Sequence, residues 1–171
     1  MTAETRIADT RDAADIARVH VASWRAAYRG ILPDDLLDRL TVADREALWQ
    51  QVLSDDRVQV AVVEENAAVR GFLSVGPSRD AGAGKDTGEV SAIYLDPDVW
   101  RRGHGSLLMD RAVQMARSNG WSQLTVWVLR ENTGARAFYE HMGFGPDGAE
   151  REEMVQSTKV TEVRYARRTD A

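Results

Sequence analysis

Two glycines separated by one residue, at the junction of a strand-like run and a helical run, constrain this chain more than any other feature. The run Glu89-Val90-Ser91-Ala92-Ile93-Tyr94-Leu95 leads through Asp96-Pro97-Asp98-Val99-Trp100-Arg101-Arg102 to Gly103-His104-Gly105-Ser106, and a helical pattern follows. Glycine at such a turn lets backbone N–H groups converge with no side chain in the way, at the positive end of a helix dipole, so the turn suits an anion such as a phosphate. It is not a dinucleotide fingerprint, because Leu108 stands where the third glycine belongs, and no Gly-Lys-Ser/Thr is present to make a P-loop. On the glycines alone, a tight turn with no ligand is the alternative.

A second block weighs against that alternative. After the strand-like Leu124-Thr125-Val126-Trp127-Val128-Leu129 comes Asn132-Thr133-Gly134-Ala135-Arg136-Ala137-Phe138-Tyr139-Glu140-His141-Met142-Gly143-Phe144. Together the two blocks resemble the GNAT superfamily of acetyl-CoA-dependent N-acetyltransferases, over roughly Glu89 to Phe144. The first is similar to its pyrophosphate motif, Gln/Arg-x-x-Gly-x-Gly/Ala, and the second to its Asn…Ala-Arg-x-Phe-Tyr-Glu…Gly-Phe segment. One position departs from the pattern: Trp100 stands where Gln or Arg is usual, with Arg101 and Arg102 directly after it to supply charge.

Composition bounds the chemistry. A chain of 171 residues is about one domain long, and no repeat, low-complexity tract or long linker divides it, so residues 1–171 read as a single domain. With no cysteine, there is no disulfide framework, zinc-thiolate site or acetylated enzyme cysteine. His20 and His141 lack a second ligand at metal spacing, so no metal is expected. The stretch from Met1 to Asp15 is polar and no apolar run approaches bilayer length, so the expectation is a cytoplasmic protein with no membrane partner. A net charge of −5 argues against broad nucleic-acid binding and mildly favours cationic small molecules.

Periodicity predicts an alternating α/β domain. Thr5 to Ala8 reads as a short strand, and Asp12 to Tyr28 as a helix with Ala13, Ile16, Val19, His20 and Ser23 along one side. Pro33 to Leu40 and Thr41 to Ser54 read as two further helices. Arg57 to Glu64 and Val69 to Val75 read as a hairpin about Glu65-Asn66-Ala67, followed by a Gly/Asp/Ser-rich loop, Pro77 to Gly88, expected to be the most mobile segment. Leu108, Ala112, Met115 and Ala116 share one face of the next helix, which stops at Asn119-Gly120. The strand, helix, strand unit makes its two strands parallel. Two last strands, Glu150 to Gln156 and Val160 to Ala166, pair antiparallel. The result is a mixed sheet with helices on both faces, and both blocks begin at strand ends where ligand sites of open α/β sheets gather. The resemblance adds that the two central strands splay apart.

The resemblance also distributes roles. Acetyl-CoA is the implied cosubstrate, its pyrophosphate held by backbone amides of Arg102, Gly103, Gly105 and Ser106, with Arg101 beside them and His104 contributing its backbone while its side chain points outward. Edge groups of the Ile93, Tyr94, Leu95 segment, chiefly Ile93 and Leu95, pair with the pantetheine arm in strand fashion. Tyr139 is the implied acid for the departing thiolate, the alternative being a core aromatic beside Phe138 and Phe144. Asn132 is a helix N-cap, a cofactor ligand, or both. Glu89 is the candidate base, against a solvated charge at a strand end. Trp24 and Tyr28, four apart on the first helix, are a candidate wall for an amine acceptor, against ordinary core packing. Trp49, Trp121 and Trp127 read as packing, and Arg136 with Glu140 as a surface ion pair. Implied partners are a small-molecule or peptide amine, with a homodimer common among the proteins resembled. A non-catalytic acyl-CoA-binding or regulatory module on the same fold is the alternative function.

Overall fold

The computed structural model describes residues 2–170; Met1 and Ala171, the two ends of the predicted domain, lie outside the described residues. The chain runs β1 (Glu4–Ile7), α1 (Ala13–Ala27), α2 (Asp34–Asp38), α3 (Val42–Leu53), β2 (Gln59–Glu65), β3 (Ala68–Pro77), β4 (Thr87–Leu95), α4 (His104–Ser118), β5 (Gln123–Leu129), α5 (Thr133–His141), β6 (Gly145–Val155) and β7 (Thr158–Arg168). The expected α/β order holds throughout. The last two strands are longer than their β-branched runs indicate, and β6 includes an irregular stretch between Pro146 and Glu150, where pairing with β7 is interrupted and Gly148 has φ +88°. Among the described residues, no helix is long and apolar enough to cross a membrane.

Local chemistry sets the helix boundaries. Thr41 caps α3 by accepting from the Asp44 amide at 3.2 Å. Asp9 and Asp12 form a reciprocal capping box ahead of α1, and Arg6 on β1 clamps Asp12 and Glu64 at 2.8 and 2.7 Å, tying the helix start to the sheet.

Seven strands form one sheet in the order β1-β2-β3-β4-β5-β7-β6, antiparallel except for β4 with β5. That parallel pairing covers only Thr87↔Gln123 through Val90↔Val126; beyond it β4 runs on against β3 to Leu95 and β5 runs on against β7 to Leu129. The two strands therefore splay apart. The cause is visible in the register: Ser74 faces Ala92 while Val75 faces Val90, so Ser91 is an extra residue in β4. A bulge of this kind bends its strand and increases the local twist.

The splayed sheet separates two apolar layers. On one face, Leu73, Val90 and Leu124 pack with Leu108, Met109 and Ala112 of α4 and Tyr139 of α5. On the other, Ile16 and Val19 of α1 and Trp49 of α3 cover Val62 and Phe72, while Tyr28, Leu36 and Leu37 cover Leu129. Ile93 and Leu95 pack with the first layer and Tyr94 with the second, as their alternation along β4 requires.

In the loop after β3, Asp80 accepts from Trp127 Nε1 at 2.9 Å and from Arg164 at 3.1 Å, and Arg79 is bound to Glu89, so these two residues are fastened to the sheet. The loop's glycines and aspartates supply turns and acceptors, a composition that loops and anchored hubs share.

His20 is 6% exposed within the second layer, with Trp49 Nε1 donating to its Nδ1 at 3.0 Å and the Tyr94 ring stacked 5.3 Å away. Burial, then the charge of Arg45, lowers its pKa from 6.5 to about 4. The unfolded chain takes up this proton near 6.5 and the folded chain only near 4, so the stabilisation is complete above about pH 6.5 and is lost as pH falls through that window. Urea unfolding at pH 7 and again near pH 4 is expected to show a loss on the order of 3 kcal/mol from this residue. In His20→Gln, which keeps an acceptor for Trp49, that part of the loss should disappear; an unchanged pH dependence would refute the assignment.

Candidate functional site

The gap between β4 and β5 opens into a cleft of about 960 Å³. Its lining includes Trp24, Tyr28, Glu89, Ile93, Tyr94, Leu95, Arg101, Gly105, Asn132 and Tyr139, which come from several separate elements and the turn before α4. Arg102, Gly103, His104 and Ser106 do not line it.

The glycine turn forms as its residues dictate. Gly103 has φ +89°, the left-handed conformation in which glycine carries no Cβ penalty, and α4 starts at the next residue. The first helical bond runs from Leu107 N to Gly103 O at 3.2 Å, so the amides just before Leu107 have no intrahelical partner. At Gly105 a Cβ would stand 3.1 Å from Phe138 and 3.3 Å from Leu95. Only hydrogen at that position lets α4 approach α5 and the end of β4 this closely.

Two side chains of the turn depart from expectation. His104 is 3% exposed, packed inward with Nε2 3.6 Å from Glu65 Oε1, rather than pointing outward. Arg102 is drawn to the same carboxylate at 2.9 Å, away from the cleft. Glu65, at the end of β2, gathers both residues, a tertiary neighbour that sequence spacing cannot reveal. Arg101, at φ 61°, is the arginine of the pair that lines the cleft.

Trp100 acts as a clasp. Its indole N–H donates to the Leu95 carbonyl at 3.0 Å and so pins the turn to the end of β4. Asp96 N donates to Arg70 O on β3 at 2.8 Å, so by alternation Ile93 and Leu95 direct their main-chain groups at the gap. The Leu95 carbonyl already holds the Trp100 indole, which leaves the Ile93 groups and the Leu95 amide as the open edge. The main chain of Tyr94 faces β3, so this residue meets the cleft through its ring alone.

Tyr139 on α5 is 6% exposed, with Phe138, Phe144 and Tyr165 ring centres at 5.6, 6.0 and 6.2 Å. It is at once a core aromatic and a lining residue, and among the described residues its hydroxyl has no hydrogen-bond partner. Burial, with a smaller contribution from Tyr94, pushes its phenol above the ordinary value. Asn132 caps α5, its Oδ1 accepting from Ala135 N at 3.2 Å, and also lines the cleft.

Glu89 is neither solvated nor at the strand end. It is the third residue of β4, 2% exposed, and accepts from Arg79 N and Nε, both at 3.1 Å, and from a further Arg79 guanidinium nitrogen. Its oxygens are therefore largely occupied. Trp24 stacks edge-on against Tyr28 at 5.0 Å, and the Tyr28 and Tyr94 hydroxyls meet at 3.4 Å, so this aromatic wall both packs and faces the cleft.

Other features were hidden from the sequence. Trp127 is not simple packing: it lines the cleft, with the Arg151 guanidinium 4.2 Å from its ring centre. Glu162 on β7 lines it too, and Arg151 reaches its Oε2 at 3.5 Å. The alternation along β7 was the available signal, since Val160, Glu162 and Arg164 share the face opposite Val163 and Tyr165. Arg136 and Glu140 are joined through the Tyr165 hydroxyl, at 3.0 and 2.9 Å, rather than directly.

Residues 20–144 match the model of the acetyltransferase (GNAT) family. The chain belongs to this family. Among its relatives is the uncharacterised N-acetyltransferase YuaI of Bacillus subtilis, 39% identical over 127 residues, which are 74% of this chain and 72% of that protein. YncA of Salmonella typhimurium, solved with acetyl-CoA, has the same fold at a TM-score of 0.75 and 23% identity, covering all of this chain and 96% of that one. The PaiA N-acetyltransferase of Thermoplasma acidophilum, solved with coenzyme A, aligns at a TM-score of 0.75 and 17% identity over 98% of this chain and 99% of that one. This GNAT chain is thus an acyltransferase.

Proposed function

We propose that this GNAT protein transfers an acetyl group from acetyl-CoA to a primary amine by direct attack within a ternary complex. The observation that carries the reading is the junction of the β4/β5 gap with the glycine turn: an open strand edge leads to unpartnered amides at a helix start. The residues fit the cosubstrate. The turn before Leu107 matches a diphosphate, the Ile93 groups and the Leu95 amide match an amide-bearing arm, and Arg101 adds positive charge. Acetyl-CoA supplies the chemistry of an acetyl thioester that is open to attack by nitrogen.

The chain's own groups do the rest. The Leu95 amide is the donor placed at the open edge for a carbonyl oxygen that gains charge. Tyr139 holds a proton through neutral pH and offers it to the departing sulfur. Trp24, Tyr28 and Tyr94 shape the acceptor end and exclude water from it. As the N–C bond forms the C–S bond breaks, one proton leaving the nitrogen and one reaching the sulfur. The absence of cysteine removes the route through an acetylated enzyme thiol.

Thermal melting with acetyl-CoA, CoA and ATP tests the reading, because a ligand that binds only the folded chain raises stability by about RT ln(1 + [L]/Kd). At a hundred times Kd the expected gain is about 2.7 kcal/mol for both CoA species and none for ATP. Equal stabilisation by ATP, or none by CoA, would refute the cofactor site. Binding with no CoA release across a panel of amines would favour a non-catalytic acyl-CoA-binding module.

A further inference from the structure

Two carboxylates on the same face of the sheet line the cleft, Glu89 buried and Glu162 partly exposed, and they stand at different levels. Glu89 is level with Thr125, just before the last β4/β5 pair, Val90↔Val126. It therefore lies where the strands are still joined. Glu162 is level with Leu129, three residues beyond that pair, which is roughly 10 Å further along the gap at about 3.3 Å per residue. A nucleophile can meet a thioester threaded between the strands only where they have parted. Glu162 is at that level, across the gap from the Ile93 to Leu95 segment.

Their partners differ as well. Arg79 gives Glu89 hydrogen bonds from both its main chain and its guanidinium. Glu162 has one long contact with Arg151 at 3.5 Å, and that guanidinium is shared with Glu153 at 3.4 Å and with the Trp127 ring. Glu162 is thus the carboxylate with acceptor capacity to spare. The charged and titratable groups that face it are Arg151 and Glu153 from β6, Glu89 and Tyr94 from β4, Tyr28 from α1, and Arg79 from the loop before β4.

We infer that Glu162, rather than Glu89, receives the ammonium group of the acceptor and takes its proton. One proton passes from the ammonium to the carboxylate, leaving a neutral amine whose lone pair is free for the acetyl carbon. Glu89 with Arg79 is instead a structural pair that braces the bulged strand. The inference rests on the transferase reading above.

Burial raises the Glu162 pKa despite the nearby Arg151, so the acidic limb of turnover should lie above the ordinary glutamate range. A raised carboxyl favours the fold while protonated, and that contribution is lost as pH rises through the raised value. Glu162→Gln should therefore melt no lower than the wild type at neutral pH. Glu89→Gln should melt lower, since Arg79 loses its charged partner.

The test uses the full chain with 2-phenylethylamine and spermidine as probe amines, following CoA release from about pH 5 to pH 9. Glu162→Gln is expected to lower kcat/KM by about a hundredfold and remove the acidic limb, with CoA affinity unchanged. Glu89→Gln is expected to keep the limb. Independently of turnover, either probe added to the CoA complex should shift the Glu162 carboxyl resonance in a ¹³C NMR titration. An acidic limb that survives Glu162→Gln, or vanishes in Glu89→Gln, overturns the inference, as does a Glu162 resonance that neither amine moves. If the wild type fails to bind CoA, the transferase reading fails first and takes this inference with it.

Discussion

Replacing Gly105 by glutamate should abolish the rise in melting temperature that CoA gives the wild-type chain. The position is tight on one side, where a Cβ meets Phe138 at 3.1 Å and Leu95 at 3.3 Å, and lines the cleft on the other. A longer side chain is therefore driven toward the cleft, over the amides at the start of α4. There it blocks the cradle and places a negative charge against a diphosphate. Losing two charge-assisted hydrogen bonds at about 1.5 kcal/mol each costs about 3 kcal/mol. That is about a hundredfold or more in Kd.

Gly105→Ala separates the cradle from packing. Its single methyl asks the Phe138 ring to yield by a few tenths of an ångström and adds no charge, so it should retain most CoA binding. If Gly105→Glu folds, as judged by circular dichroism, and still binds CoA with wild-type affinity, the turn is not the phosphate site.

Tyr139→Phe should reduce kcat by about a hundredfold, within the range that a positioned acid contributes, while leaving Kd for CoA almost unchanged. The phenol ring packs against Phe138, Phe144 and Tyr165, and phenylalanine preserves those contacts. Only the hydroxyl is removed, and it has no partner among the described residues, so the fold loses little. Because burial holds the phenol above its ordinary value, Tyr139 keeps its proton throughout the neutral range, and any alkaline loss of activity in that range must come from another group. Single-turnover kinetics with saturating acetyl-CoA would measure the step directly. An unchanged kcat would remove Tyr139 from the acid role and leave it as a core aromatic.

Glu89 and Glu162 show what kind of information each level holds. Glu89 is conspicuous in the sequence because it precedes the glycine turn on the same strand, and this proximity makes it the candidate base. Its actual state is set by Arg79, which folds back from the loop before β4 and occupies its oxygens. Glu162 lies in the last strand, far from either block in sequence. It reaches the cleft because β7 pairs with β5, which brings it level with Leu129. Likewise, His104 reads as an outward side chain until Glu65, at the end of a distant strand, is found beneath it.

The sequence by itself determined the order of strands and helices, the glycine turn, the helix start at Thr41 and the family of the chain. These are properties of neighbours along the chain, written in periodicity and in the few residues that tolerate a given backbone geometry. Only the tertiary structure decided where β4 and β5 part, that Trp100 pins the Leu95 carbonyl, and which carboxylates are occupied. The first depends on strand register, the second on how the turn before α4 folds back on β4, and the third on which strands and loops bring charged partners together. A single bulge at Ser91 alters that register without leaving a distinctive mark among the residues around it.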